Sequence, residues 1–130
     1  MTVLVDHNLE GHARRMWGVL TAEGWFDLLP LRMTTFQEEA LPADADDSVV
    51  WRYAQEHGML LLTGNRNMDG EDSLEQTLRE ENTSTSLPVI TISRIDSLRE
   101  SAYRIRCARR LVEIVFYLEQ YRGVGRLFIP

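Results

Sequence analysis

The amino-acid sequence predicts an α/β fold, a three-layer α/β/α sandwich around a mostly parallel sheet of about five strands. Three observations support this prediction. Short apolar or β-branched runs alternate with longer stretches whose apolar residues recur at helical spacing. Units of strand, helix and strand place helices on both faces of a parallel sheet. The run Met59–Thr63 is apolar without alternation, as expected for a central strand that is covered on both faces.

The predicted elements alternate along the whole chain. Helices are placed where apolar residues recur every three or four positions, and strands where short apolar runs lie between turn residues. Capping-box patterns at Ser73 and Ser97 mark the starts of the third and fourth helices. In chain order the predicted elements are strand 2–5, helix 9–23, a strand within 28–36, helix 48–57, strand 59–63, a polar loop at 65–72, a short helix from 73 toward 81, strand 88–93, a long helix from 97, and strand 127–129.

The long helix is predicted to bury one apolar face. Its members recur every three or four residues, which is the spacing of one side of a helix. They are Leu98, Ala102, Ile105, Ala108, Leu111, Val112, Val115 and Leu118.

Length and composition predict one domain that spans residues 1–130. The chain is 44% hydrophobic, which suffices to bury a core at this length. No stretch approaches the ~20 apolar residues that cross a bilayer, and the first residues lead into a strand rather than a cleavable leader. We therefore expect a cytoplasmic protein with no membrane partner. A single cysteine, Cys107, excludes an internal disulfide and is expected in the core.

Charge is unevenly distributed along the chain. Residues 1–93 carry six arginines and 16 acidic residues, whereas residues 94–130 carry eight arginines and four acidic residues. Every cationic side chain is arginine, which suits bidentate phosphate contact, although a codon bias explains this equally well. Arg99, Arg106 and Arg110 are spaced seven and four residues apart, which predicts one ridge along the long helix. That ridge is either a phosphate-binding surface or ordinary solvated helix surface.

Polar side chains follow the first and third predicted strands. Asp6 ends the first apolar run, and Thr63 is followed by Gly64, Asn65, Arg66 and Asn67. Because the carboxyl ends of parallel strands form the ligand crevice of an open α/β sheet, these residues predict one shared site. Glycine-rich phosphate loops of the Rossmann and P-loop types do not occur in the sequence.

Each of these candidates also has a purely structural interpretation. Asp6 or Asn8 would cap the helix that comes after them, and Asp46 or Asp47 would cap the helix near residue 48. The asparagines after Thr63 are common turn residues that tolerate left-handed backbone.

The order and spacing of these segments resemble the PIN-domain nucleases, and more closely the short, single-domain PIN-like proteins of prokaryotes. The likeness lies in VLVDHNL at 3–9, DDSVVWRYAQEHGMLLLT at 46–63, the loop after that segment, and LPVITIS at 87–93. It covers most of the chain.

This resemblance implies Mg²⁺- or Mn²⁺-dependent hydrolysis of phosphodiester bonds in single-stranded RNA. Carboxylates suit these hard cations, and the bound ion polarises the phosphate and activates water. Arg66 lies within the loop after Thr63, and its guanidinium is a candidate phosphate contact there. The resemblance implies Asp6, Asp47, Asn65 and Asn67 as catalytic positions, and Asp6 and Asp47 as metal ligands. Asp69 lies close by in the sequence and is a further candidate metal ligand, although it does not hold a position of the family pattern.

The loop after Thr63 departs from the pattern of the PIN-like subgroup. Asn65 and Asn67 stand where that pattern has two aspartates, and Met68 stands in place of an aromatic residue. An amide oxygen can ligate a cation but adds no charge and is no general base. The sequence therefore supports two hypotheses. One is a ribonuclease, as the toxin of a toxin–antitoxin pair with an antitoxin-like partner; the other is a catalytically degenerate PIN-like fold that binds protein or RNA. A homodimer is compatible with both.

Overall fold

The computed structural model describes residues 1–64 and 73–130, and it confirms the predicted fold class. The strands are β1 (Thr2–Val5), β2 (Arg32–Thr35), β3 (Met59–Thr63), β4 (Val89–Ile92) and β5 (Arg126–Ile129). They form one sheet in the order β2-β1-β3-β4-β5, and every neighbouring pair is parallel. The register places Val5 beside Leu62 and Leu62 beside Ile90, so the carboxyl ends of the central strands lie at one edge.

Helices cover both faces of this sheet. They are α1 (Glu10–Ala22), α2 (Asp47–Glu56), α3 (Leu74–Glu81) and α4 (Ser101–Phe116). On one face α1 packs beside α4, and on the other face α2 packs beside α3. The result is the three-layer sandwich expected from alternating strands and helices.

The two faces of the sheet carry separate hydrophobic cores. Successive side chains of a strand point to opposite faces, so Val3 and Val5 pack toward α1 and α4 while Leu4 packs toward α2 and α3. In β3, Leu60 and Leu62 join the first core and Leu61 joins the second. Because both faces are buried, the strand reads as an unbroken apolar run in the sequence.

The predicted ends of the first three helices are close to those observed. Helix α1 is preceded by a 3₁₀ turn at His7–Leu9 and is followed by Gly24, whose φ of 76° is a left-handed conformation that glycine adopts without strain. Ser73 caps α3 as predicted, because its Oγ accepts a hydrogen bond from the Gln76 backbone N–H at 3.1 Å. The predicted loop 65–72 lies outside the described residues.

The predicted start of the fourth helix is wrong. Ile95–Arg99 forms a 3₁₀ helix, Glu100 has extended backbone, and α4 begins only at Ser101. Ser97 therefore lies inside a 3₁₀ turn and does not cap α4. The break also rotates the buried face, because Leu98 reaches the core from the 3₁₀ turn whereas Ala102 is exposed and Ile105 is only half-buried. The rest of the predicted face is buried, and it is joined by Cys107 and Ile114.

Cys107 is a core residue, as predicted. It is fully buried against the larger core, and this burial raises the pKa of its thiol to about 11. Of the helices that the structure describes, none combines the length and the apolar character needed to cross a membrane.

Candidate active site

A cleft of about 370 Å³ opens at the carboxyl ends of β1 and β3. From β1 the chain continues to β2 on one side and later to β3 on the other, so this pair of strands is the topological switch point of the sheet. Ligands of open α/β sheets bind in the crevice at such a point. The polar side chains that line the cleft are Asp6, Asn8, Asp44, Asp47 and Thr63.

Asp6 is placed at the cleft by the end of β1. Its backbone N–H donates to the carbonyl of Leu62 at 2.9 Å, which extends the strand pairing by one residue. Its Oδ2 accepts a hydrogen bond from the hydroxyl of Thr63 at 2.8 Å. Thr63 is only 2% exposed, so the donor of this bond is buried, while Asp6 itself is half-buried.

The capping interpretation of Asp6 is wrong. Asp6 does precede the 3₁₀ turn at His7–Leu9, but its side chain makes no capping hydrogen bond. Asn8 lies within that turn and does not cap α1 either, because Leu9 occupies the cap position. The carboxylate is directed across to β3 instead, which is the arrangement that a shared site requires.

Asp47 reaches the cleft from the first turn of α2. Its Oδ2 accepts a hydrogen bond from the backbone N–H of Leu74 at 3.1 Å, so it satisfies one of the donors left unbonded at the start of α3. Asp46 occupies the N-cap position of α2 but makes no side-chain capping bond. Asp47 is therefore both a cleft residue and the link between the starts of two helices.

Asp44 is a cleft residue that the sequence analysis missed. It lies in the loop between β2 and α2 and is exposed. The sequence signal was the acidic stretch before α2, from which the resemblance selected Asp47 and not Asp44. Within residues 1–64 and 73–130, no three acidic, histidine or cysteine side chains are grouped closely enough to hold a metal ion together. A cation bound by Asp6 and Asp47 would complete its coordination with water, several molecules of which Mg²⁺ usually retains.

The remaining predicted site residues of the loop, Asn65, Arg66, Asn67 and Asp69, lie outside the described residues. Gly64 precedes them and lines the cleft together with Ile95. A Cβ atom at position 64 would collide with Cδ1 of Ile95 and would lie 2.7 Å from its Cγ1. Any larger residue at position 64 would therefore force the side chain of Ile95 to move.

The prediction that Arg99, Arg106 and Arg110 form one ridge along the long helix is wrong. Arg99 lies in the 3₁₀ turn before α4, whereas Arg106 and Arg110 lie on α4 itself. The guanidinium of Arg106 lies 6.0 Å from the ring of Tyr103, and Arg110 forms a 3.0 Å ion pair with Glu113. The structure instead places Arg99 at a pocket lined also by Asn8, Gly11, His12 and Arg15.

Glu39 is an acidic residue with a structural role outside the cleft. It follows β2 and accepts hydrogen bonds from the Thr34 hydroxyl at 2.6 Å and the Tyr53 hydroxyl at 2.8 Å. These bonds, that of Thr34 first, hold the pKa of Glu39 below its usual value. The carboxylate fixes β2 against α2 and does not line the cleft.

No protein-family model, curated protein or solved structure matches the chain. The class of protein is therefore defined by its fold and its site. It is a parallel α/β protein of strand order 2-1-3-4-5 with an acidic cleft at the β1–β3 switch point.

Proposed function

We propose that the protein is a PIN-like, Mg²⁺- or Mn²⁺-dependent ribonuclease that hydrolyses phosphodiester bonds in single-stranded RNA. The observation that carries the proposal is that Asp6 and Asp47, from separate segments of the chain, line one cleft at the switch point of a parallel sheet. Carboxylates gathered at such a position are suited to hold a divalent cation and a phosphate group together.

The donor set of the cleft fits a hard cation. Its polar side chains are carboxylates, one hydroxyl and one amide, all of which offer oxygen atoms, and neither histidine nor cysteine is among the described lining residues. When bound, Mg²⁺ or Mn²⁺ would polarise the phosphate and make an attacking water more acidic.

Asp6 is the residue best placed to contact the cation. Thr63 donates to Oδ2 and fixes the carboxylate, while Oδ1 accepts no hydrogen bond from the described part of the chain. No arginine of the described residues forms an ion pair with Asp6. Its negative charge is therefore held in place and is not compensated there by a neighbouring cation.

The test is cleavage of a short single-stranded RNA with Mn²⁺, with Mg²⁺ and with EDTA. Asp6→Asn keeps an oxygen that can accept the Thr63 hydrogen bond but removes the charge. We expect cleavage by the wild type only with metal, and a loss of roughly 10³-fold in Asp6→Asn, because a metal ion contributes several kcal/mol to the transition state. Glu23→Gln, an acid removed far from the cleft, should cleave like the wild type.

Two results would contradict the proposal. Cleavage that persists in EDTA, or that is equal in wild type and Asp6→Asn, would show that the carboxylate cleft is not responsible. A wild type that binds RNA or protein but neither binds metal nor cleaves would favour the second hypothesis, a catalytically degenerate PIN-like binding module. The amides at Asn65 and Asn67 favour that alternative, and Asn65→Asp with Asn67→Asp would then be expected to create metal binding.

A further inference from the structure

A second pocket, the arginine pocket, adjoins the acidic cleft and is basic. It is lined by Asn8, Gly11, His12, Arg15 and Arg99. Asn8 lines both this pocket and the cleft, so the two are neighbours.

The arginine pocket is formed where two segments meet near the carboxyl edge of the sheet. Asn8, His12 and Arg15 are three or four residues apart and so lie on one side of the start of α1. Arg99 comes from the 3₁₀ turn that leads into α4. The break before α4, which removed Arg99 from the predicted ridge, is what places it here.

The two arginines of this pocket are available to a ligand. Both are exposed, and neither guanidinium has an ion pair or hydrogen bond with the residues at 1–64 and 73–130. None of the described residues that line the pocket is acidic. In contrast, Arg52 and Arg109 on the outer helical surface form 2.6 Å ion pairs with Glu81 and Glu23.

A third arginine lies in another pocket beside the cleft. Gly64 and Ile95 line both the cleft and a further pocket, which contains Arg94. Arg94 is exposed, but Asp96 lines the same pocket and weakens the positive potential there. Arginines thus line two pockets that adjoin the acidic cleft, and the pocket with Arg15 and Arg99 is the more strongly basic of the two.

We propose that Arg15 and Arg99 bind the phosphate backbone of a single nucleic-acid strand, next to the phosphate that would lie at Asp6. Guanidinium groups bind phosphate by paired, charge-assisted hydrogen bonds. The chain as a whole has a net charge of −6, so a polyanion is held only where cations are concentrated. The proposal rests on the ribonuclease function proposed above, and it adds the residues that hold the strand beside the cleft.

The experiment measures binding of a labelled single-stranded RNA by fluorescence anisotropy, in EDTA and over a series of salt concentrations. The test variant is Arg15→Glu with Arg99→Glu. The matched control is Arg32→Glu with Arg79→Glu, which makes the same change in net charge. Arg32 lies at the amino end of β2, whereas the cleft lies at the carboxyl ends of the strands. Arg79 lies near the end of α3, and both arginines are exposed.

We expect the test variant to bind at least about tenfold more weakly at low salt, because hydrogen bonds between charged groups are lost. The slope of log affinity against log salt should fall by about 1.4, since each lost contact with a single strand removes about 0.7. The control should keep most of its affinity and the wild-type slope. Arg15→Gln with Arg99→Gln loses the same two ionic contacts without adding negative charge, so it should lower the slope by a similar amount and the affinity by less.

Equal binding by the test and control variants would overturn the proposal, as would the absence of RNA binding by the wild type. Tighter binding of duplex DNA through the same two arginines would overturn the assignment to a single strand. These outcomes differ from failure of the proposed function, in which RNA binding depends on Arg15 and Arg99 but Mn²⁺ neither binds at Asp6 nor supports cleavage.

Discussion

Asp6 in the cleft and Glu23 on the outer helical surface are both carboxylates with hydrogen-bond donors beside them, but the donors differ. Glu23 accepts from Nε and Nη2 of Arg109, and the shorter of these bonds is 2.6 Å. Asp6 accepts from the neutral hydroxyl of Thr63. The first carboxylate is compensated by a full positive charge, whereas the second keeps its charge in a cleft that is open to a ligand.

Whether a carboxylate is paired with an arginine distinguishes the acidic residues that stabilise the fold from Asp6, which we propose binds a cation. The Arg109–Glu23 pair joins α4 to the end of α1, and the Arg52–Glu81 pair joins α2 to α3, so each pair fastens one helical layer. Arg109 lowers the pKa of Glu23, and Arg52 lowers the pKa of Glu81. A carboxylate that is needed for an external cation must avoid such a partner, because an arginine would occupy its oxygens.

The largest change in stability is expected at the wall of the cleft. Gly64→Ala would place a methyl group against Ile95, and overpacking of this kind costs about 1–3 kcal/mol in the free energy of unfolding. Denaturant unfolding of Gly64→Ala, Ile95→Ala and the double variant measures the coupling, which should be favourable because the alanine at 95 removes the collision.

Gly18→Ala is the matched control on the helical surface. Nothing lies within 4 Å of a Cβ atom at this position of α1, so alanine should raise the free energy of unfolding by up to about 1 kcal/mol through its higher helix propensity. If Gly64→Ala and Gly18→Ala both lost stability, or if neither did, the expected difference between the closely packed cleft wall and the open helical surface would be contradicted.

A smaller effect is expected at Asp47, where a structural bond and a proposed ligand role coincide. Asp47→Ala should lower the free energy of unfolding by about 1 kcal/mol, because the N–H of Leu74 loses its acceptor. Asp47→Asn keeps an acceptor oxygen and should be close to wild type in stability, while both variants should weaken Mn²⁺ binding. If Asn restored metal binding as well as stability, the charge of Asp47 would not be needed.

The smallest effect is expected at Glu23, and it should depend on pH. Its pKa is lowered in the folded protein, so its contribution to stability is present above the ordinary glutamate value of 4.5 and is lost as pH falls through the lower folded value. Glu23→Gln should reduce Tm by no more than about 3 °C at neutral pH, because the pair is largely exposed. At a pH below the folded pKa the Tm of the variant should equal that of the wild type, and a difference that persists there would contradict the ion-pair explanation.

Local patterns in the sequence predicted the elements of the fold well. The unbroken apolar run of β3 and the helical spacing of α1 and α2 result directly from how these elements are buried, so sequence and structure agree there. The capping pattern at Ser97 failed because the helix was interrupted by extended backbone at Glu100, and one residue of extended backbone leaves no periodic signal. Arg99 was predicted to lie on the long helix for the same reason, because the helix was expected to begin at Ser97.

The site was predicted only in part, because its geometry is tertiary. Asp6 was identified because strand ends meet at one edge of a parallel sheet, and Asp47 was identified through the family resemblance. Asp44 and Ile95 line the same cleft but come from connections whose paths depend on packing with the finished sheet. Arg15 was missed because a single arginine on the exposed side of a helix is ordinary, and only its approach to Arg99 and Asn8 distinguishes it.

Calorimetric titration of Mn²⁺ into wild type, Asp6→Asn and Glu23→Gln tests the role of the cleft most directly. We predict binding by the wild type and by Glu23→Gln, and its loss in Asp6→Asn, because the carboxylate of Asp6 has no arginine partner among the residues described whereas that of Glu23 is paired with Arg109. Bound Mn²⁺ should also raise Tm in the two binding proteins, as any ligand specific to the native state does. No binding by the wild type, or equal binding by Asp6→Asn, would contradict the assignment of Asp6 as the metal ligand of the cleft.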